Sequence, residues 1–143
     1  MINLLSGIES TSAALNAERV RMDVVSENIA NADTTRGIDG KPYQRQQVVF
    51  ESVLRAQQAS DTPGSALKTL QTVRIEKDPR PPRPVYNPSH PDADAQGMVS
   101  LPDINIHEEM VDMIASSRAF EANLAVVKNA HAMAMQTLSI GKH

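Results

Sequence analysis

A mainly α fold with a small β part is expected from three observations. Residues 2–32 and 104–140 each carry an apolar seam at helical spacing, and the chain between them does not. All nine prolines fall between Pro42 and Pro102. That middle stretch also has few large apolar side chains, and segments under ~80 residues rarely stabilise themselves without staples. The expected division is an N-terminal helix over 1–32, a Pro/Gly-rich β-containing segment over 33–103 and a C-terminal helix over 104–143.

Alternating steps of four and three along the first stretch meet Leu4, Ile8, Thr11, Leu15, Glu18, Met22, Val25, Ile29 and Ala32. Along the last they meet Ile106, Met110, Met113, Ser117, Phe120, Leu124, Val127, His131, Ala134 and Leu138. This is the spacing of a coiled-coil seam. A helix of about 30 residues spans roughly 45 Å, whereas a compact chain of this length has a radius of gyration of about 15 Å. The helices are therefore expected to form an elongated, coiled-coil-like pair or tube, or to pack against other chains.

Ser6 or Asn3 is the expected N-cap of the first helix. Glu18 is the polar exception on its seam; a buried charge there would be costly unless paired, so a solvated position is expected. The helix should end around Asn31, a residue type that tolerates the left-handed conformation at a helix end. Asn28 lies three residues earlier on the same face, and a cap accounts for one of the two amides only.

Asp39-Gly40 is a hairpin signal. Tyr43–Phe50 reads as a strand, residues 54–67 as an exposed loop broken at Asp61-Thr62-Pro63-Gly64, and Leu70–Lys77 as a strand with Val73 and Ile75 inward. Pro79, Pro81, Pro82 and Pro84 impose an extended run. Met98–Leu101 is a last short strand, and the second helix begins between Ile104 and His107 and stops near Gly141.

Composition excludes several classes of function. The formal net charge is −3 and the basic run Arg74, Lys77, Arg80 and Arg83 has no interleaved aromatics, so nucleic acid is not an expected partner. The absence of cysteine excludes thiolate metal sites and cysteine nucleophiles. No stretch approaches the ~20 apolar residues of a membrane span, and the N-terminus lacks a secretory signal pattern. Asp92-Ala-Asp94-Ala-Gln96-Gly97 imitates the start of a calcium loop but lacks the closing Glu and the leading helix. His107-Glu108 lacks the second His of a zinc-protease helix. No catalytic residue, metal or cofactor is expected.

The stretch Asn28-Ile-Ala-Asn31-Ala-Asp-Thr-Thr resembles the N-terminal signature of the bacterial flagellar rod and hook axial proteins. Asp39-Gly40-Lys-Pro42-Tyr43, Val85-Tyr86-Asn-Pro88-Ser-His90-Pro91, Glu109-Met110-Val-Asp-Met-Ile and Ser117-Arg118-Ala-Phe120-Glu-Ala-Asn123 extend the resemblance over essentially the whole chain. The resemblance implies a non-enzymatic structural subunit of the proximal rod of the basal body, spanning the periplasm and transmitting torque. It implies terminal helices that order on assembly. It also implies partners: copies of itself, other rod proteins, the surrounding membrane rings, and the flagellar type III export apparatus, which needs no cleaved signal. The assembly interface is then expected at Leu4, Ile8, Leu15, Met22, Val25, Asn28, Ile29, Asn31, Met110, Met113, Phe120, Leu124, Val127 and Leu138. The rival reading is a coiled-coil adaptor or secretion chaperone outside the rod.

Overall fold

The computed structural model describes residues 2–55 and 68–140. Most of the loop expected at 54–67, with its Asp61-Thr62-Pro63-Gly64 break, and the stop near Gly141 lie outside the described residues. Two long helices and two small sheets form the mainly α fold with a small β part that the sequence predicts. In chain order the elements are α1 (Ile2–Ala30), β1 (Gln46–Arg55), β2 (Lys68–Lys77), β3 (Arg83–Tyr86), β4 (Met98–Leu101) and α2 (Ile106–Ile140).

The helices run antiparallel. Asn28, at the end of α1, bonds Glu109 at the start of α2, and Arg21, two turns back, pairs with Asp112 at 3.1 Å. α1 starts at Ile2, so Asn3 and Ser6 lie inside the helix rather than capping it. The apolar run Ile2, Leu4 and Leu5 continues the helical pattern to the chain start, leaving no break for a cap. The cap of α2 is explicit: the Asn105 Oδ1 accepts from the His107 N–H at 3.1 Å, and the Asn105 amide donates to Glu108 at 3.1 Å. This reciprocal arrangement is close to a capping box.

β1 and β2 form a two-stranded antiparallel ribbon in the register Gln46↔Lys77 to Arg55↔Lys68, lying against α1. β3 and β4 form a second antiparallel pair, Arg83↔Leu101 to Tyr86↔Met98. Ile75, expected inward, is 50 % exposed: among the described residues little covers its face of the ribbon. Pro84 sits in the four-residue β3, where an edge position tolerates its missing N–H. The turn before β4 needs glycine: Gly97 has φ +76°, and its N–H and the N–H groups of Gln96 and Met98 all bond Asp94. The calcium-like stretch is thus a turn organised by Asp94.

The apolar core is small: apart from Pro102, the buried apolar residues among those described are Ala17, Val24, Val25, Ala32 and Val99. The largest fully buried side chains are Glu109, Val99, Asn28 and Ser116, so three of four are polar. Ser116 returns its hydroxyl to the Asp112 carbonyl at 2.6 Å, which satisfies it without a partner helix and leaves only a small side chain in the contact.

The buried face of α2 is turned from its apolar seam. Its two buried residues are Glu109 and Ser116, flanked by half-buried Met113, Phe120, Asn123, Leu124, Val127 and Ala134. Met113, Phe120, Leu124, Val127 and Ala134 were on the expected seam, whereas Met110 and Leu138 are 51 % and 68 % exposed and His131 is exposed. Within the single chain Met110 and Leu138 are left uncovered, and the polar junction holds Glu109, not Met110, against α1.

Candidate functional site

Two features of the helical pair stand out: a polar junction at one end and an uncovered apolar face on α2. The junction begins with Asn28, which is 1 % exposed. Its side-chain amide pairs with the backbone of Gln46 like one more peptide of a strand. Nδ2 donates to the Gln46 carbonyl at 2.8 Å and Oδ1 accepts the Gln46 N–H at 2.9 Å. Nδ2 also donates to Glu109 at 3.0 Å, and Tyr43 donates its hydroxyl to Oδ1 at 3.1 Å. Burial pushes the Tyr43 phenol up, which keeps it a neutral donor. Asn28 thus ties α1, the start of β1 and the first turn of α2 in one place.

Glu109, also 1 % exposed, would be untenable alone. Arg45 compensates it, with Nε and Nη2 both 2.7 Å from Oε1, and reaches Asp78 at 3.4 Å through Nη1. Asp78 is held in turn by Arg80 at 2.7 Å, and Arg80 bonds Asp103 at 3.1 Å. The Arg80 hydrogen bond holds the Asp78 carboxyl down from 3.8 to about 2, against the opposing effect of burial. Arg80, half exposed, links the end of β2 to the approach to α2.

Asn31 does other work. Its backbone N–H and Nδ2 both reach the Glu27 carbonyl, at 3.0 and 2.9 Å, and its Oδ1 accepts from the Thr34 hydroxyl at 3.2 Å. This caps the helix through the side chain, not through the left-handed backbone: no described non-glycine residue has positive φ. The following loop is pinned to the β3–β4 turn where Thr35 donates to Asp92 at 2.8 Å. Glu18 corrects another expectation. Beside buried Ala17 and one turn before Arg21, its Oε2 is out of solvent and has no hydrogen-bond partner among the described residues.

Of the remaining predicted interface residues, Val25 is buried, and Ile8, Leu15, Met22, Ile29, Met113, Phe120, Leu124 and Val127 are half-buried along the pair. Leu4 belongs to the α1 backbone. Asn28 lies in the junction and Asn31 beside it, whereas Met110 and Leu138 are exposed. Apolar exposure on α2 goes beyond the expected seam: Val111, Ile114, Val126, Met133, Met135 and Ile140 are each more than half exposed. Sequence reasoning also missed Glu109, Arg45 and Asp78 as a cluster. Their one signal was charge beside the Asn28 and Tyr43 motifs. Among the described residues no group of three His, Cys, Asp or Glu side chains could hold a metal ion, and no helix is long and apolar enough to cross a membrane.

Known proteins match the same parts of the chain. The family described as flagella basal body rod protein matches residues 8–36, which is α1 from Ile8 onward with its cap and loop. The family described as flagellar basal body rod FlgEFG protein C-terminal matches residues 95–140, from the Gly97 turn to the end of α2. The flagellar basal-body rod protein FlgC of Borreliella burgdorferi is 39 % identical, over 97 % of this chain and 98 % of its own length. That of Bacillus subtilis is 39 % identical over 92 % and 94 %, and that of Yersinia enterocolitica 36 % over 99 % and 100 %. Identity at this level across nearly the full length of both partners leaves one conclusion: the chain belongs to the FlgC family of flagellar basal-body rod proteins.

Proposed function

We propose that this chain, a structural rod subunit of the flagellar basal body, joins the proximal rod through its terminal helices and passes torque along it. The exposed apolar side chains of α2 carry the reading. Met110, Val111, Ile114, Val126, Met133, Met135, Leu138 and Ile140 are each more than half exposed on one 35-residue helix. Scattered apolar exposure is ordinary, but a series of this extent calls for a cover. Among the described side chains of α1 the outer positions Ser10, Ser12, Asn16, Arg19, Asp23, Ser26 and Glu27 are exposed and polar, so that stretch of another copy is a poor cover. The cover is the apolar surface of neighbouring rod subunits, copies of this chain and other rod proteins.

A contact between unlike surfaces that does not close on itself builds a helical array. In that array residues 1–32 and 104–143 form the axial part, and 33–103 forms the outer part, facing the surrounding membrane rings. The subunit reaches this periplasm-spanning site through the flagellar type III export apparatus without a cleaved signal. Its helices gain most of their stability from packing in the array. Its work is mechanical, with no catalytic step and no cofactor. The adaptor or chaperone reading is not favoured by the family matches.

Val126→Asp tests this. At a 54 % exposed position the substitution should leave the free chain helical and stable to within about 0.5 kcal/mol. Isolated basal bodies should lack the protein and the cells should not swim. Normal incorporation of the variant would overturn the reading.

A further inference from the structure

We infer that Glu109 is a positioning residue that sets the rotation of α2 about its own axis, and so decides which face the helix presents to other chains. Each residue turns an α-helix by about 100°. In the first three turns of α2 the large apolar residues are Ile106, Met110, Val111, Met113 and Ile114. Their mean direction lies close to Met110, about one residue step from Glu109. Apolar burial alone would turn Met110 and Met113 onto α1 together. The chain instead buries Glu109 and leaves Met110, Val111 and Ile114 at 51 %, 65 % and 53 % exposure.

The bonds of the Glu109 carboxylate explain that choice. Oε2 accepts from Asn28 on α1, and Oε1 accepts both donors of Arg45 at the entrance to β1. The two oxygens are therefore anchored from two different elements, which fixes a direction and not merely a contact. Turning α2 by one residue would take both anchors away and leave the buried Asn28 amide and Arg45 short of acceptors, which costs more than solvating a carboxylate gains. Ser116, two turns on, is compatible with the same rotation because its hydroxyl is satisfied on its own helix. The polar anchor therefore holds the apolar face outward, as a buried polar group can fix register at the expense of stability. The purpose of that face rests on the rod reading above; the rotation is a property of the free chain.

Oxidation of methionine by dilute peroxide, followed by mass spectrometry on the full-length free protein, reads the rotation directly. In the wild type Met110 should oxidise faster than half-buried Met113. Glu109→Gln, which keeps one acceptor oxygen for Arg45 but sets its NH2 against the Asn28 amide, should preserve that order at lower stability. Glu109→Leu should reverse it with helicity retained, and the variant should be lost from basal bodies. Glu109→Ala, which avoids overpacking, should bring the two rates together if the leucine variant does not fold. A wild type in which Met113 oxidises at least as fast as Met110 overturns the inference, as does a folded leucine or alanine variant with the wild-type order. Reversal with normal incorporation would uphold the rotation and overturn the rod reading of the outer face.

Discussion

The two ends of the helical pair are built on opposite terms. Where the β segment joins, Asn28, Glu109, Arg45 and Asp78 are buried or nearly so and answer one another's hydrogen bonds within the chain. Toward the far end of α2, Met133, Met135, Leu138 and Ile140 are apolar and stand 56–70 % exposed. One end is complete in a single chain; the other leaves apolar side chains exposed, which the proposed rod contacts would cover. Polar groups close the joined end because the fold of one chain sets each donor against its acceptor there. The far end is left to apolar contact, which is non-directional and suits partners arriving from other chains.

The largest expected effect strikes the joined end. Arg45→Met leaves Glu109 as a buried carboxylate whose remaining donor is the Asn28 amide, while Asp78 keeps Arg80. Losing one member of a buried pair costs about 3–5 kcal/mol, which urea unfolding followed by circular dichroism would register. A loss below about 1 kcal/mol would mean that the junction behaves like a surface ion pair, and the contrast between the ends would fail.

Gly97→Ala is the next in size. A Cβ there would lie 3.1 Å from the Tyr86 ring and 3.2 Å from Pro88 Cβ, at φ +76°. Tyr86 is 69 % exposed and can give way, whereas the Pro88 ring is fixed, so crowding adds to a conformational strain of about 1–2 kcal/mol. Gly40→Ala is the matched control, with φ +70° and nothing within 4 Å of the added carbon. Similar losses in both variants would assign the cost to backbone conformation; a larger loss at Gly97 would assign the excess to the packed turn.

Much of this architecture was legible in sequence and some was not, for identifiable reasons. The helices announced themselves through periodicity, and the expected start between Ile104 and His107 brackets the observed one at Ile106, though the Asn105 cap was not read. The rotation of α2 was not legible, because the seam walk follows apolar residues and the buried centre of the helix is Glu109 and Ser116. Glutamate is almost never fully buried unless paired, and its partners lie 81 and 64 residues away. The division of labour between Asn28 and Asn31 was half legible. Asn31 acts on Glu27 within its own turn, so local rules found a cap there, whereas Asn28 acts across the fold. Ile75 failed because alternation in a strand indicates two faces but not whether anything covers either.

Acid should discriminate the ends more gently. Arg80 holds Asp78 near 2 in the folded chain, below its ordinary 3.8. A depressed carboxyl stabilises the fold above its unfolded value and loses that contribution as pH falls through the folded one. The urea midpoint should therefore decline between about pH 4 and pH 2, and Asp78→Asn should flatten this part of the profile. An unchanged slope in the asparagine variant would remove Asp78 from the acid response.

The smallest effect on stability is the most informative about the far end. Leu138 is 68 % exposed, two residues before the end of α2, so its side chain contributes little to the free chain. Leu138→Asp should change stability by no more than about 0.5 kcal/mol. Leu124 is half-buried against its own chain, so Leu124→Asp should lower the stability of the free protein as well as its incorporation. The pair separates packing within the subunit from packing between subunits. If Leu138→Asp proves neutral in unfolding yet excludes the protein from basal bodies, the far end is completed by other chains. If both substitutions destabilise the free chain alike, the far end is already closed in the single subunit and its resemblance to an open face is lost.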